Sequence, residues 1–233
     1  MDIIHSHDGA GDDQATLFLI LLMKFNLIAV SIHPADSTPD SATKMTHFVL
    51  NYMNQNTIPV ILNDFITPNQ FPDEWKLEAV DICNKIGATN NSHDNIKLSE
   101  LIKPNITIIE TGPLTTLANV STDISNIKLL WVAGMFDGSS NTIQQYYPQM
   151  DGSQSWNSFI DPISASEVIR KVKDITIFPR NIDFDTSLIT IDNDNGKLLK
   201  SLLPTMSRDI LPAIYLSRPD LFISTKKTYT NKN

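Results

Sequence analysis

Only one cysteine, Cys83, occurs in the 233 residues, so no disulfide can form within the chain. A lone thiol fits a reducing compartment, and its ordinary place is as a small buried hydrophobe. Glycine is scarce too, with 8 residues, and no Gly-x-Gly-x-x-Gly run occurs. That excludes the glycine-rich phosphate cradle of dinucleotide-binding folds. Positive charge is in deficit: 18 Lys and Arg stand against 26 Asp and Glu, a net charge of −8. Such a surface disfavours nucleic acid and suits an enzyme of small molecules. Long apolar runs are missing. Residues 17–23 are apolar on every face, far short of the roughly 20 needed to span a bilayer, and read as a helix buried on all sides. Residues 1–12 are polar and acidic, the wrong composition for a secretory leader. Neither a membrane nor a nucleic-acid partner is expected, and the cytoplasm is the default location.

What is present is enough for a core. Hydrophobic residues make up 41% of the chain and charged residues 19%, which predicts one sizeable domain rather than disorder. It is expected to span residues 1–224, with a polar tail at 225–233. Continuous apolar runs predict strands at 2–5, 27–33, 59–62, 106–110, 128–133 and 174–179. Helical patterns lie between them, near 13–25, 41–54, 73–86, 114–120 and 164–172. Strands without alternation are buried on both faces. Their alternation with helices predicts an α/β fold, a mostly parallel central sheet with helices on both faces. Segments 89–95 and 138–155 are rich in Ser, Asn, Gln and Gly and read as loops. The second is long enough to suggest a functional or mobile segment.

Open α/β sheets bind ligands beyond the carboxyl ends of their strands. Acidic groups follow three of the predicted strands: Asp8, Asp12 and Asp13 after the first, Asp36 after the second, Asp64 after the third. Three such loops on one edge would make a hard-cation site, since oxygen ligands suit calcium or magnesium. Asp8, Asp12 and Asp13 are the sharpest feature, because three carboxylates within six residues repel one another unless a cation or protons neutralise them. Asp12 alone could equally be a helix N-cap. His5 and His7 flank the cluster, but a zinc site would need further ligands at suitable spacing. His33, His47 and His93 read as structural or solvated, and Arg180 and residues 171–173 as a solvated face.

These residues resemble the nucleoside hydrolase family. The stretch from Ile4 to Asp13 is similar to its N-terminal aspartate signature, closest to the branch written Asp-His-Asp-Gly-x-x-Asp-Asp, which includes purine-preferring enzymes. The likeness continues in order through Pro34-Ala35-Asp36, Phe71-Pro72-Asp73-Glu74-Trp75, Thr111-Gly112-Pro113-Leu114-Thr115, Trp156-Asn157 with Asp161-Pro162, and Asp209-Ile210-Leu211. It implies calcium-dependent hydrolysis of the N-glycosidic bond of ribonucleosides, purine-leaning. The resemblance implies calcium held by Asp8, Asp13, the Thr111 carbonyl and Asp209. It makes Asp8 the general base, places Asp12 and Asn157 on ribose hydroxyls and Asp36 near the base, and has Trp75 stack beneath the base, with Trp156 in the same binding region. A homo-oligomer is expected by analogy only.

Three positions depart from the family pattern. Ser6 stands in place of the first aspartate, Ser155 in place of a glutamate that binds the ribose 5′-hydroxyl, and Arg208 in place of a tryptophan or histidine. The chain is also short between about residues 181 and 209, a region that normally covers the site. These departures support a second expectation: a homologue that binds calcium and a nucleoside or ribose with weakened or lost turnover. A carboxylate–metal phosphatase is a third reading, which would want a basic residue near the metal, such as Arg208.

Overall fold

Strand β1 (Asp2–His7) is buried at every position after Asp2, as a strand must be when helices cover both sides of it. The computed structural model describes residues 1–135, 142–150, 154–180, 182, 184–204 and 206–225. In chain order β1 is followed by α1 (Gly11–Leu22), β2 (Asn26–Ile32), α2 (Pro39–Tyr52), β3 (Val60–Leu62), α3 (Asp73–Ile86) and α4 (Leu98–Leu101). Next come β4 (Thr107–Glu110), α5 (Thr115–Ala118), β5 (Lys128–Val132), α6 (Ile143–Tyr146), α7 (Trp156–Ile160), α8 (Pro162–Lys171) and β6 (Asp174–Phe178). The rest holds β7 (Phe184–Asp185), α9 (Asp194–Leu202), β8 (Met206–Ser207) and α10 (Leu211–Ser217).

Strands β1 to β6 form one parallel sheet in the order β3-β2-β1-β4-β5-β6, and β7 pairs antiparallel with β8 apart from it. The chain winds outward from β1 through β2 to β3, then crosses back to β4 and winds the other way. The crossing leaves a crevice where the loops after β1 and β4 diverge, and ligands bind at such a point. Register brings those loops together: Ser6 pairs with Glu110, and the Thr111 N–H donates to the Ser6 carbonyl at 3.0 Å.

One apolar layer packs α1 against the sheet through Leu17, Phe18 and Ile20, and a second packs Leu114, Leu117 and Val168 on the opposite face. Helix α9 and α10 cover α1 from outside, which explains its apolar surface. Burial is not complete on all sides, since Leu22 is exposed at the end of the helix. A Cβ at Gly11 would overlap the Leu202 carbonyl at the end of α9. Glycine there lets the two helices close up.

The predicted elements are all present, with β1 running two residues further than expected, through His7. Helices α4, α6, α7, α9 and α10 and the β7–β8 pair were not expected. Segment 138–155, expected as loop, contains α6, while 138–141 and 151–153 lie outside the described residues. So do 226–233 of the expected tail. No helix among the described residues is long and apolar enough to cross a membrane.

Candidate functional site

The β1–α1 loop is fixed by its own backbone amides. Asp13, in the first turn of α1, accepts the N–H groups of Gly9 and Ala10 at 2.8 and 2.7 Å. Its other oxygen accepts the Thr111 hydroxyl. Gly9 has φ +96° and lies against Ser37, whose hydroxyl donates to the Asp8 carbonyl at 2.8 Å. Asp8 is thereby held at the carboxyl end of β1. The turn after β4 is held in the same way, with the Trp131 indole donating to the Gly112 carbonyl at 3.0 Å. Asn157 in α7 donates to the carbonyls of Thr111 and Val132 at 2.7 and 2.9 Å.

These parts line an open cleft with a volume of about 140 Å³. Asp8, Asp12, Thr111 and Asp209 lie on one side of it. Phe71, Trp75 and Trp156 form another, with Phe71 and Trp156 stacked at 5.2 Å and the Trp75 and Trp156 rings 5.0 Å apart edge to face. Asp36 and Asn157 also line it, while Asp13 sits beneath, wholly buried. The nine residues picked from the sequence therefore gather at one place.

Electrostatically the cleft is under stress. Burial, then the neighbouring Asp13, Asp36 and Asp209, holds the Asp8 carboxyl well above the usual range. Burial, then Asp12 and Asp13, does the same to Asp36 and to Asp209. Asp13 is pushed up to about 7, mainly by burial, against the pull of its hydrogen bonds. Behind it, burial pushes Glu110 up to about 8; one of its oxygens accepts the Gly112 N–H at 3.0 Å. His7 Nδ1 lies 3.9 Å from Asp13, yet burial drives His7 down to about 3. The contact is thus between a neutral imidazole and the carboxyl, not an ion pair.

A hard cation fits the chemistry of this donor set. Buried carboxylates in mutual contact need protons or a cation, and Asp8, Asp13, Asp209 and the Thr111 carbonyl supply only oxygens. Among the described residues no three His, Cys, Asp or Glu side chains are gathered tightly enough to form a ready ligand cluster. The carboxylates lie in pairs, Asp8 against Asp13 and Asp12 against Asp209.

Two expectations need correction. Asp64 is exposed and does not line the cleft. Strand β3 is the edge strand, two places from β1, so its loop opens away from the crevice. Arg180 is not on a solvated face; it lines the cleft beside Arg208, whose Nε donates to its carbonyl at 2.8 Å. Its position just past β6 was the available signal, because the same strand-end rule that singled out Asp8 applies there. Lys171 and Lys173 are on the surface as expected, paired with Glu167 and Asn126. Asp161 is structural: it caps α8 through the Ser164 N–H at 3.0 Å and accepts the Thr115 hydroxyl at 2.9 Å.

The family model for Inosine-uridine preferring nucleoside hydrolase matches residues 3–230. Among solved structures, an inosine-uridine preferring nucleoside hydrolase from Bacillus anthracis is 25% identical, with a TM-score of 0.76 over 94% of this chain and 82% of that one. A plant nucleoside hydrolase has the same fold at 17% identity, with a TM-score of 0.77 over 95% of this chain and 80% of that one. An inosine-guanosine nucleoside hydrolase shares the fold at 16% identity, with a TM-score of 0.64 over 94% and 79%. No curated protein sequence matches the chain.

Proposed function

Because this chain belongs to the inosine-uridine preferring nucleoside hydrolase family, and so is a hydrolase of N-glycosyl compounds, we propose that it hydrolyses ribonucleosides to free base and ribose in a calcium-dependent, purine-leaning reaction. One observation carries the reading: the carboxylates Asp8, Asp12 and Asp209, the Thr111 turn and Asn157 share a single cleft with an aromatic side. The family is metal-dependent, usually with calcium. Asp8, Asp13, Asp209 and the Thr111 carbonyl would hold the ion. When bound, it supplies positive charge that offsets the crowded carboxylates and makes water easier to deprotonate.

The chain's own residues do the rest. Asp8 takes the proton of the attacking water as its oxygen joins C1′. Burial and the neighbouring carboxylates raise the proton affinity of Asp8 above that of an ordinary carboxylate. Asp12 and Asn157 bind ribose hydroxyls; the Asn157 amide nitrogen is committed to two carbonyls, so its oxygen is the atom that remains for the sugar. As the C1′–N bond breaks, positive charge grows on the sugar, and the surrounding carboxylates stabilise it. The base lies against Trp75, near Asp36, and stacking there is tolerant of base identity.

A second reading is a homologue that binds calcium and a nucleoside or ribose but turns over slowly or not at all. Arg208 favours it: its positive charge already bears on Asp12 and Asp209, where it competes with a cation. An assay for free ribose from inosine, with calcium and with chelator, separates the two. Calcium-dependent ribose release that Asp8→Asn abolishes supports hydrolysis, and the lost proton transfer is worth about 10²–10⁴-fold. Nucleoside binding without ribose release selects the second reading.

A further inference from the structure

The roles proposed above account for the carboxylate and aromatic sides of the cleft and leave a third side unassigned. It is built by consecutive hydrogen bonds. The Ser155 hydroxyl accepts the Gly134 N–H at 2.8 Å, the Gly134 carbonyl accepts the Arg180 N–H at 2.9 Å, and the Arg180 carbonyl accepts Arg208 Nε at 2.8 Å. Gly134 turns the chain at φ +86°, a conformation that favours glycine. Ser155, Arg180 and Arg208 therefore form one continuous edge, and all three line the cleft. The chain has four arginines, and two of them are here. No lysine, among the described residues, lines the cleft. In a protein of net charge −8, two arginines among the residues lining one concave site are a selective placement. Guanidinium is the cation that pairs with phosphate through two parallel hydrogen bonds, and the Ser155 hydroxyl, bonded to the Gly134 N–H and to Ser158, holds the edge in place.

We propose that this edge binds the phosphate of a ribonucleoside 5′-monophosphate, making phosphorylated nucleosides substrates of the site. The inference rests on the reading of the cleft given above. With the ribose diol at the carboxylates and the base against the aromatic side, the 5′ carbon is the part left to face the arginines. Arg208 then serves two neighbours, Asp12 and Asp209 on one side and the phosphate on the other, while Arg180 is joined to it through the backbone. The bond changes are those of nucleoside hydrolysis. Water oxygen joins C1′ and the C1′–N bond breaks. Its electron pair leaves with the base, which takes up a proton, and the sugar product is ribose 5-phosphate.

Isothermal titration calorimetry in calcium on the full chain carrying Asp8→Asn, which consumes neither ligand, tests this with inosine and inosine 5′-monophosphate. The monophosphate is expected to bind at least about tenfold more tightly, an advantage that shrinks as salt is raised. Arg180→Met should remove most of that advantage and Arg180→Lys should keep part of it, with urea unfolding confirming that both variants fold. Ribose 5-phosphate should displace the monophosphate better than inorganic phosphate does; equal displacement overturns the assignment to a sugar phosphate. Inosine binding as tightly as its monophosphate overturns the inference and leaves nucleoside hydrolysis standing. Binding of neither overturns both.

Discussion

Replacing Asn157 by alanine should loosen the cleft by a predictable amount. Its amide nitrogen supplies one hydrogen bond to Thr111 and one to Val132, at 2.7 and 2.9 Å, and so ties α7 to the ends of β4 and β5. Each bond is worth about 1 kcal/mol net, and a carbonyl left buried without a donor costs about as much again. Asn157 is only half-buried, so water can reach part of what it leaves behind. The expected loss is about 2–3 kcal/mol. For a domain of this size that lowers the melting temperature by roughly 4–12 °C. Urea unfolding in chelator would show it as a lower midpoint at constant slope. In calcium the loss should shrink by about 1 kcal/mol, because an ion at the Thr111 carbonyl gives that oxygen a partner again. A variant within about 0.5 kcal/mol of the parent in chelator would refute the argument. So would a loss that is identical with and without calcium.

Other outcomes follow from the same geometry. Arg208→Trp and Ser155→Glu, measured on inosine, guanosine and uridine, should raise turnover and purine preference if those positions weaken the site. Harm from both, in a fast parent enzyme, would mean that Arg208 has a productive role. Asp13, pushed up to about 7, and Glu110, pushed up to about 8, keep protons in the folded protein that the unfolded chain has already lost. The folded state binds more protons, so stability in chelator should fall as pH rises through about 4 to 8, and calcium should restore more at about pH 8 than at about pH 5.5; melting curves at both would reveal a flat profile if this is wrong. Gly9→Ala forces a side chain into φ +96° and into Ser37. It should cost about 1–3 kcal/mol and weaken calcium binding by displacing Asp8, both readable by calorimetry.

The sheet was legible because its strands are largely continuous apolar runs, Leu129 to Val132 for example, with polar turn residues beyond them. Helices α9 and α10 were not, since Asp194–Leu202 is half polar and Leu211–Ser217 carries a proline in its first turn. Neither offers a long periodic face, and both are fixed by packing on α1. The acidic loop after β1 declared itself through three carboxylates too close together to be left uncompensated. Asp64 misled because strand order is not written in strand sequence: an edge strand and a central strand can end in equally acidic loops. Arg180 was passed over because a single arginine after Pro179 looks like any surface cation until the sheet order brings β6 and the segment before α10 to the same crevice.

Asp8 and Asp209 stand near opposite ends of the described chain, yet they line the same side of the cleft. During synthesis the sheet can be assembled from β1 to β6 before Asp209 has left the ribosome. An ion needing both carboxylates cannot be fully bound by that early sheet. The last helical segment then acts as a clasp, arriving after the barrel of the lock is already built. A nascent chain stalled before Asp209 would lack one of the carboxylates proposed to hold the ion.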